Sequence, residues 1–235
     1  MEIKNLLTIV IPCKNETYRI KKLLNDLNNQ NNITGIKVFV ADSSDDISTV
    51  LYINSEQKDI CDIEIIEGGL PSIARHNGAK LVNTPYVLFL DSDMEIINQN
   101  FINEITSEII KREGSLLTCK VRTSNRDYNY IYKIFDLIQK LHWITKPFAL
   151  GGIMLFKTDV YNQLGGFNHE DVIAEDYNLS RKIPSSKFIL SKKIILTDDR
   201  RFRNKGVWYM VKLMVLTFLN RNNPNFYKKS FSYWS

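Results

Sequence analysis

Residues 86–94 read Tyr-Val-Leu-Phe-Leu-Asp-Ser-Asp-Met. An apolar, β-prone run ends abruptly in two carboxylates one residue apart. The run is short and apolar throughout, so it reads as a strand covered on both faces, as in a parallel sheet. Burying it sets Asp91 and Asp93 just past the strand's C-terminal end. In open α/β sheets ligands bind at that edge. Two carboxylates this close repel each other, and a divalent cation between them relieves the repulsion. Alone, the pattern fits equally a strand that ends in a polar turn, where Asp and Ser are common.

Toward the N-terminus, strands alternate with helices. Leu6–Ile11 reads as a core strand that Pro12 stops. Asn15 can cap the next helix, in which Ile20, Leu23, Leu24 and Leu27 fall at i, i+3, i+4 and i+7. Ile36–Ala41 is a second strand, running into Asp42-Ser43-Ser44-Asp45-Asp46, where Ser44 or Asp45 can cap the helix that follows. Asp62–Ile66 is a third strand, and Pro71 introduces a helix over Ser72–Val82. The order up to Tyr86–Leu90 predicts an α/β fold with a mostly parallel sheet, right-handed crossovers and helices on both faces, Rossmann-like.

Toward the C-terminus, Phe101 to Ile110 reads as a helix closed at Gly114, then Ser115–Val121 as a strand. Tyr128–Ile144 is aromatic, amphipathic and helical. An apolar strand lies within Phe148–Phe156 after Gly151-Gly152, and Asp159–Leu164 is a short helix stopped by Gly165-Gly166. Glu175–Ile183 reads as helical, and Lys187–Leu190 and Lys193–Thr197 as two short strands. This predicts one domain over 1–199 and a basic, aromatic helical tail over 200–235. In that tail Arg200, Arg201, Arg203 and Lys205 precede an apolar stretch, Val207–Leu219, broken only by Lys212 among charged residues. Phe226, Tyr227, Phe231, Tyr233 and Trp234 follow among further basic residues. Such a segment is either a terminal helix packed on the domain or an interfacial helix lying on an anionic membrane.

The chain has 235 residues with 31 basic against 26 acidic, a net charge of +5, too mild to argue for nucleic acid. The three cysteines, Cys13, Cys61 and Cys119, have no metal-ligand spacing and read as buried free thiols of a reducing, cytoplasmic compartment. No apolar stretch is long enough to span a bilayer, so any membrane association is peripheral. Gly-x-Gly-x-x-Gly is missing after the first strand, which argues against a nicotinamide-dependent dehydrogenase.

The chain carries five short pieces in order. They are Ile9-Val10-Ile11-Pro12-Cys13-Lys14-Asn15-Glu16, Val40-Ala41-Asp42-Ser43-Ser44, Ile73-Ala74-Arg75-His76-Asn77-Gly78-Ala79, Leu90-Asp91-Ser92-Asp93, and Leu164-Gly165-Gly166-Phe167 followed by Glu175-Asp176. In order and spacing the chain resembles the family 2 glycosyltransferases over roughly residues 6–185, which implies the GT-A fold. The resemblance implies that Asp42 reads the donor's base, most often uracil, while Pro12 and Glu16 line the nucleoside pocket. It places Arg75 by the base or diphosphate, Asp91 at ribose or metal, and Asp93 at Mn²⁺ or Mg²⁺. It makes Asp176 the general base of a single, inverting displacement. The implied partners are a nucleotide-sugar donor, UDP-sugar before GDP-sugar, and a glycan or lipid-linked acceptor. A non-catalytic, nucleotide-binding scaffold on the same fold is the alternative. Arg201-Phe202 matches an Arg-aromatic pair found late in the family, a candidate diphosphate contact. No histidine follows His169, so a late histidine metal ligand is absent.

Overall fold

The computed structural model describes residues 2–56 and 61–229, the side chains of Trp143 and Thr145 excepted. Phe231, Tyr233 and Trp234 of the expected aromatic tail lie outside the described residues. The strands are β1 (Leu7–Cys13), β2 (Lys37–Asp42), β3 (Asp62–Glu67), β4 (Tyr86–Leu90), β5 (Met94–Glu95), β6 (Leu116–Thr123), β7 (Ile153–Lys157) and β8 (Phe188–Thr197). They form one eight-stranded sheet in the order β3-β2-β1-β4-β7-β6-β8-β5. The N-terminal half, β1 to β4, is parallel. In the other half β7 runs antiparallel to β4 and β6, β8 runs parallel to β6, and β5 is antiparallel to β8. The helices are α1 (Thr17–Asn28), α2 (Ser48–Glu56), α3 (Pro71–Lys80), α4 (Phe101–Lys111), α5 (Asn129–Lys140), α6 (His142–Thr145), α7 (Thr158–Gln163), α8 (Glu175–Ser180), α9 (Arg200–Lys205), α10 (Val207–Leu219) and α11 (Pro224–Tyr227).

A strand apolar at every position needs cover on both faces, and the core is split accordingly. On one face Leu7, Ile9 and Ile11 of β1 join Ile20, Leu23 and Leu27 of α1 and Ile102 and Ile105 of α4. On the other, Val10 and Phe89 join Ala79 of α3, Tyr161 of α7 and Leu179 of α8. This is the expected GT-A arrangement of a mostly parallel sheet between two helical layers.

Several local expectations shift. Pro12 does not end β1, which runs on to Cys13. The carbonyl of Cys13 accepts from Ser43 on the β2 side, whereas Leu6 bonds Tyr86 on the β4 side. Side alternates along a strand, so Pro12 faces β4, whose pairing with β1 ends at Val10. The donor proline lacks is therefore not needed. Asn15 does not cap α1. It sits in the left-handed region at φ 54°, and its side chain bonds Asp45 instead, at 2.7 Å and 2.9 Å. Asp46, rather than Ser44 or Asp45, accepts from the Ser48 N–H at the start of α2, at 2.9 Å. The predicted helix Tyr128–Ile144 is interrupted at Leu141. The two strands expected at 187–190 and 193–197 are one, β8, accommodated by a register shift between Thr118 and Lys120.

Gly78 sets how closely α3 approaches β1. A Cβ there would lie 2.4 Å from Val10 Cγ1 and 3.0 Å from its Cγ2, and Val10 is locked in a fully buried central strand. Gly78→Ala is therefore expected to destabilise the fold by about 1–3 kcal/mol through overpacking, seen as a lower urea midpoint. An unchanged midpoint would mean α3 is not wedged against β1.

Candidate active site

The parallel strands β1, β2 and β4 all end on one edge, so their following loops meet there. Asp42 ends β2 opposite Cys13 of β1. One of its carboxylate oxygens accepts from the Ser44 hydroxyl at 2.6 Å and the Ser44 N–H at 3.2 Å. Glu16 receives Arg19 at 2.5 Å and also Arg200. Arg19 in turn holds Asp198 at 2.5 Å. The loop after β1 is thereby tied by charge to the end of β8 and the start of α9.

The Asp91–Asp93 turn is held at both ends. The Asp91 N–H donates to the Gly152 carbonyl at 3.0 Å, and the Asp91 carbonyl accepts from Met94 at 3.1 Å. Met94 and Glu95 then pair with the end of β8. Arg75 approaches from α3. Its guanidinium is 2% exposed, with one Nη 2.5 Å from Asp91 Oδ1 and the other bonded to Glu175. It lies over the Phe167 ring at 5.5 Å, and Nε has no hydrogen-bond partner. Burial alone would weaken its proton affinity, yet the charges of Asp91 and Glu175 carry it upward.

Asp176 stands next to this pair, at the start of α8. Ala174 before it adopts the left-handed conformation at φ 51°, which turns the chain into the helix. One Asp176 oxygen accepts from the Tyr177 N–H at 2.7 Å. The other faces Gly151, where a Cβ would lie 2.8 Å from Oδ2. Loss of water, then the charge of Glu175, push Asp176 up to about 7, against the pull of Arg75. Asp93 is pushed up to about 6, first by burial and then by Asp91, with Arg201 and Arg200 pulling the other way. Its carboxylate makes no hydrogen bond or ion pair to any described residue. A half-buried carboxylate beside a second one is the donor set that suits a divalent cation. Among the described residues, no three or more His, Cys, Asp or Glu side chains cluster as a complete metal cage.

Arg75, Asp91, Asp93, Asp176 and Arg201 all line one cavity of about 1120 Å³. The structure thus brings together the acidic pair, the arginine and the expected base. Pro12, Glu16 and Asp42 stand at the neighbouring strand ends but are not among the walls of that cavity. Two residues escape the sequence reading. Glu175 looks like a second helix-start acid, but is the buried partner of an arginine 100 residues away. Gly151 leaves room for the Asp176 carboxylate; its only signal is the Gly-Gly pair. Phe202 stacks on Tyr128 at 5.0 Å, which anchors α9 and so fixes Arg201 at the cavity wall.

Residues 8–165 match the family model described as Glycosyl transferase family 2. Among solved structures, the fold is similar to the mannosyltransferase PcManGT from Pyrobaculum calidifontis in complex with GDP-Man and Mn²⁺, at TM-score 0.71 and 17% identity, covering 95% of this chain and 64% of that one. It is also similar to S. aureus TarS 1–349 in complex with UDP, at TM-score 0.62 and 18% identity, covering 92% of this chain and 65% of that one. The same TarS fragment with UDP-GlcNAc matches at TM-score 0.62 and 19% identity, covering 83% of this chain and 59% of that one. The chain therefore spans less than two thirds of these structures' own lengths. No curated protein matches it.

The raised Asp176 has a consequence for stability. In the unfolded chain it ionises near the ordinary aspartate value, and in the fold near 7. Between those values the folded form holds more protons, so stability falls as pH rises from about 4 to 7. The melting temperature is expected to decline over that window in the wild type and to decline less in Asp176→Asn. Equal slopes would place Asp176 in an ordinary, solvated setting.

Proposed function

The chain belongs to glycosyl transferase family 2, and from that premise we propose that it is an inverting transferase. It would move a sugar from a nucleotide-sugar, a UDP-sugar before a GDP-sugar, to a hydroxyl of a glycan or lipid-linked acceptor. The observation that carries the reading is that Asp176 shares one cavity with Asp91, Asp93 and Arg75, in surroundings that hold its proton affinity near neutrality. A general base works best when its pKa lies near the operating pH.

In this reading the Asp176 carboxylate takes the proton of the acceptor hydroxyl. The acceptor oxygen bonds to the anomeric carbon as the bond from that carbon to the diphosphate oxygen breaks. The nucleoside diphosphate leaves with the electron pair, and one displacement inverts the centre. Asp42, Pro12 and Glu16 flank the nucleoside at the adjoining strand ends. Arg75 is already engaged by two buried carboxylates, so its part is to fix Asp91 and Glu175, and through them the floor of the site. Arg201, on the cavity wall, is the cation best placed to meet the diphosphate.

Asp93 and Asp91 would hold Mn²⁺ or Mg²⁺, which supplies positive charge for the departing diphosphate. With only two carboxylates available, the diphosphate and water would complete the shell. The nucleotide ligands of the similar structures, UDP, UDP-GlcNAc and GDP-Man, and the Mn²⁺ of one, support this class of substrate. Residues 1–199 are proposed as the transferase domain, with 200–235 as an appendage that walls the cavity and gives the protein a peripheral membrane contact.

The test separates donor binding from chemistry. Asp93→Ala is expected to lose the Mn²⁺-dependent part of the melting shift given by UDP-sugars, since a ligand stabilises only the state that binds it. Asp176→Asn is expected to keep that shift and to transfer at least about a hundredfold more slowly. Normal transfer by Asp176→Asn would remove the base assignment. A wild type that binds donor but transfers to no acceptor would return the chain to a scaffold role.

A further inference from the structure

α5 carries apolar residues on both faces. Its buried positions are Ile131, Phe135, Asp136, paired with Arg122 at 2.5 Å, and Gln139, which donates to the Phe148 carbonyl at 2.9 Å. Its outward stripe is apolar: Tyr130, Ile134 at 54% exposure, Leu137 at 61%, Ile138 and then Leu141. A helix in water places those residues the other way round. Its neighbour α10 is apolar on every side except for Lys212 and Thr217. Yet Thr217 is the only residue of α10 that is buried, and Trp208 is 85% exposed. A helix that is apolar all round normally lies inside a core or a membrane.

Residues of both helices line the cavity that Asp93 and Asp176 also line, and the helices share one apolar cluster through Ile131, Phe135, Met210 and Met214. Apolar side chains and the acidic groups thus border one space. The charge of the tail has one sign. Residues 200–235 contain eight lysines and arginines and no acid, and Lys133 and Lys140 flank the apolar stripe of α5 on the exposed side. An exposed apolar surface beside these cations complements an anionic bilayer: the rings and aliphatic chains enter the acyl boundary and the cations meet the headgroups. Among the described residues no helix is long and apolar enough to cross a membrane, so the contact is with one leaflet.

We propose that α5 and α10 together dock on an anionic membrane surface, and that the groove between them takes the hydrocarbon chain of a lipid-linked acceptor. The acceptor's reacting hydroxyl then lies at Asp176. This rests on the transferase reading and narrows its acceptor class from glycan or lipid to lipid. The surface is wider than the tail, because half of it comes from α5, inside the segment matched by the family.

The experiment is co-sedimentation of the full chain with phosphatidylcholine vesicles, with and without phosphatidylglycerol, alongside Ile134→Ser/Leu137→Ser and Trp208→Ser. These side chains are exposed, so their removal opens no cavity, and unchanged melting temperatures would confirm intact folds. The wild type is expected to partition onto the anionic vesicles, less so at high salt, and the α5 double variant to bind at least about tenfold more weakly. Wild-type protein that stays in solution, or variants that partition equally, would overturn the proposal. So would light scattering showing a dimer that the α5 variant turns into monomer, with no vesicle binding, since a second copy would then be the cover. Melting shifts with UDP and GDP on the same samples keep the two readings apart. Vesicle binding without a nucleotide shift would fail the transferase reading, and a nucleotide shift without vesicle binding would fail this one.

Discussion

The site depends on one buried guanidinium. Arg75 reaches from α3 to Asp91 at the end of β4 and to Glu175 at the start of α8, so one side chain holds three segments that are distant in sequence. Removing one partner of a buried ion pair typically costs about 3–5 kcal/mol, because the remaining charge is stranded without water. The arrangement is therefore closer to a hinge pin than to a ligand contact. It holds only if α3 lies tight against the sheet, which Gly78 permits. It also needs the loop before α8 drawn in, which the Ser72 hydroxyl does by donating to the Asp171 carbonyl at 2.8 Å.

The same pin leaves the site short of positive charge. Arg75 is one cation facing Asp91, Glu175 and Asp176, and Asp93 lies beside Asp91. Two of the four carboxylates are neutralised by direct contact; the other two, Asp93 and Asp176, are the ones whose proton affinity rises. The division follows from geometry, since Arg75 presents its two Nη groups to Asp91 and Glu175. A diphosphate would only deepen the negative potential. Arg201 and Arg200 offset part of that charge at Asp93, and the proposed divalent cation would offset more.

The sheet was legible in the sequence because burial on both faces writes itself as unbroken apolar runs. Tyr86–Leu90 appears at the expected residues, and the four apolar positions of α1 are all buried. Caps and ends were less legible. Asn15 and Asp45 each have the chemistry to cap a helix, but they bond each other across two loops, and no local pattern reveals such a partner. Pro12 misled for a related reason: whether a proline ends a strand depends on which neighbour it faces. At the site the acids could be named from motifs, but their pairing could not. Glu175 and Asp176 are adjacent and chemically alike, and only the position of Arg75 makes one a buried counter-ion and leaves the other exposed to the cavity.

The inward polar groups and the outward apolar stripe of α5 have a common origin. α5 turns Asp136 and Gln139 inward because β6 and the loop before β7 offer them partners: the Arg122 guanidinium and the Phe148 carbonyl. Those contacts, with the burial of Ile131 and Phe135, fix the helix's rotation, and that rotation places Ile134 and Leu137 outward. Were solvent the only environment, substitution of those two by polar residues would cost nothing in the fold and would remove an aggregation liability. Ile134 lies on the wall of the cavity that Asp93 and Asp176 also line, and Leu137 stands one turn further along the same exposed face. The inward polar contacts and the outward apolar stripe are then two results of one helix orientation, and it is on this stripe that the proposed membrane contact rests.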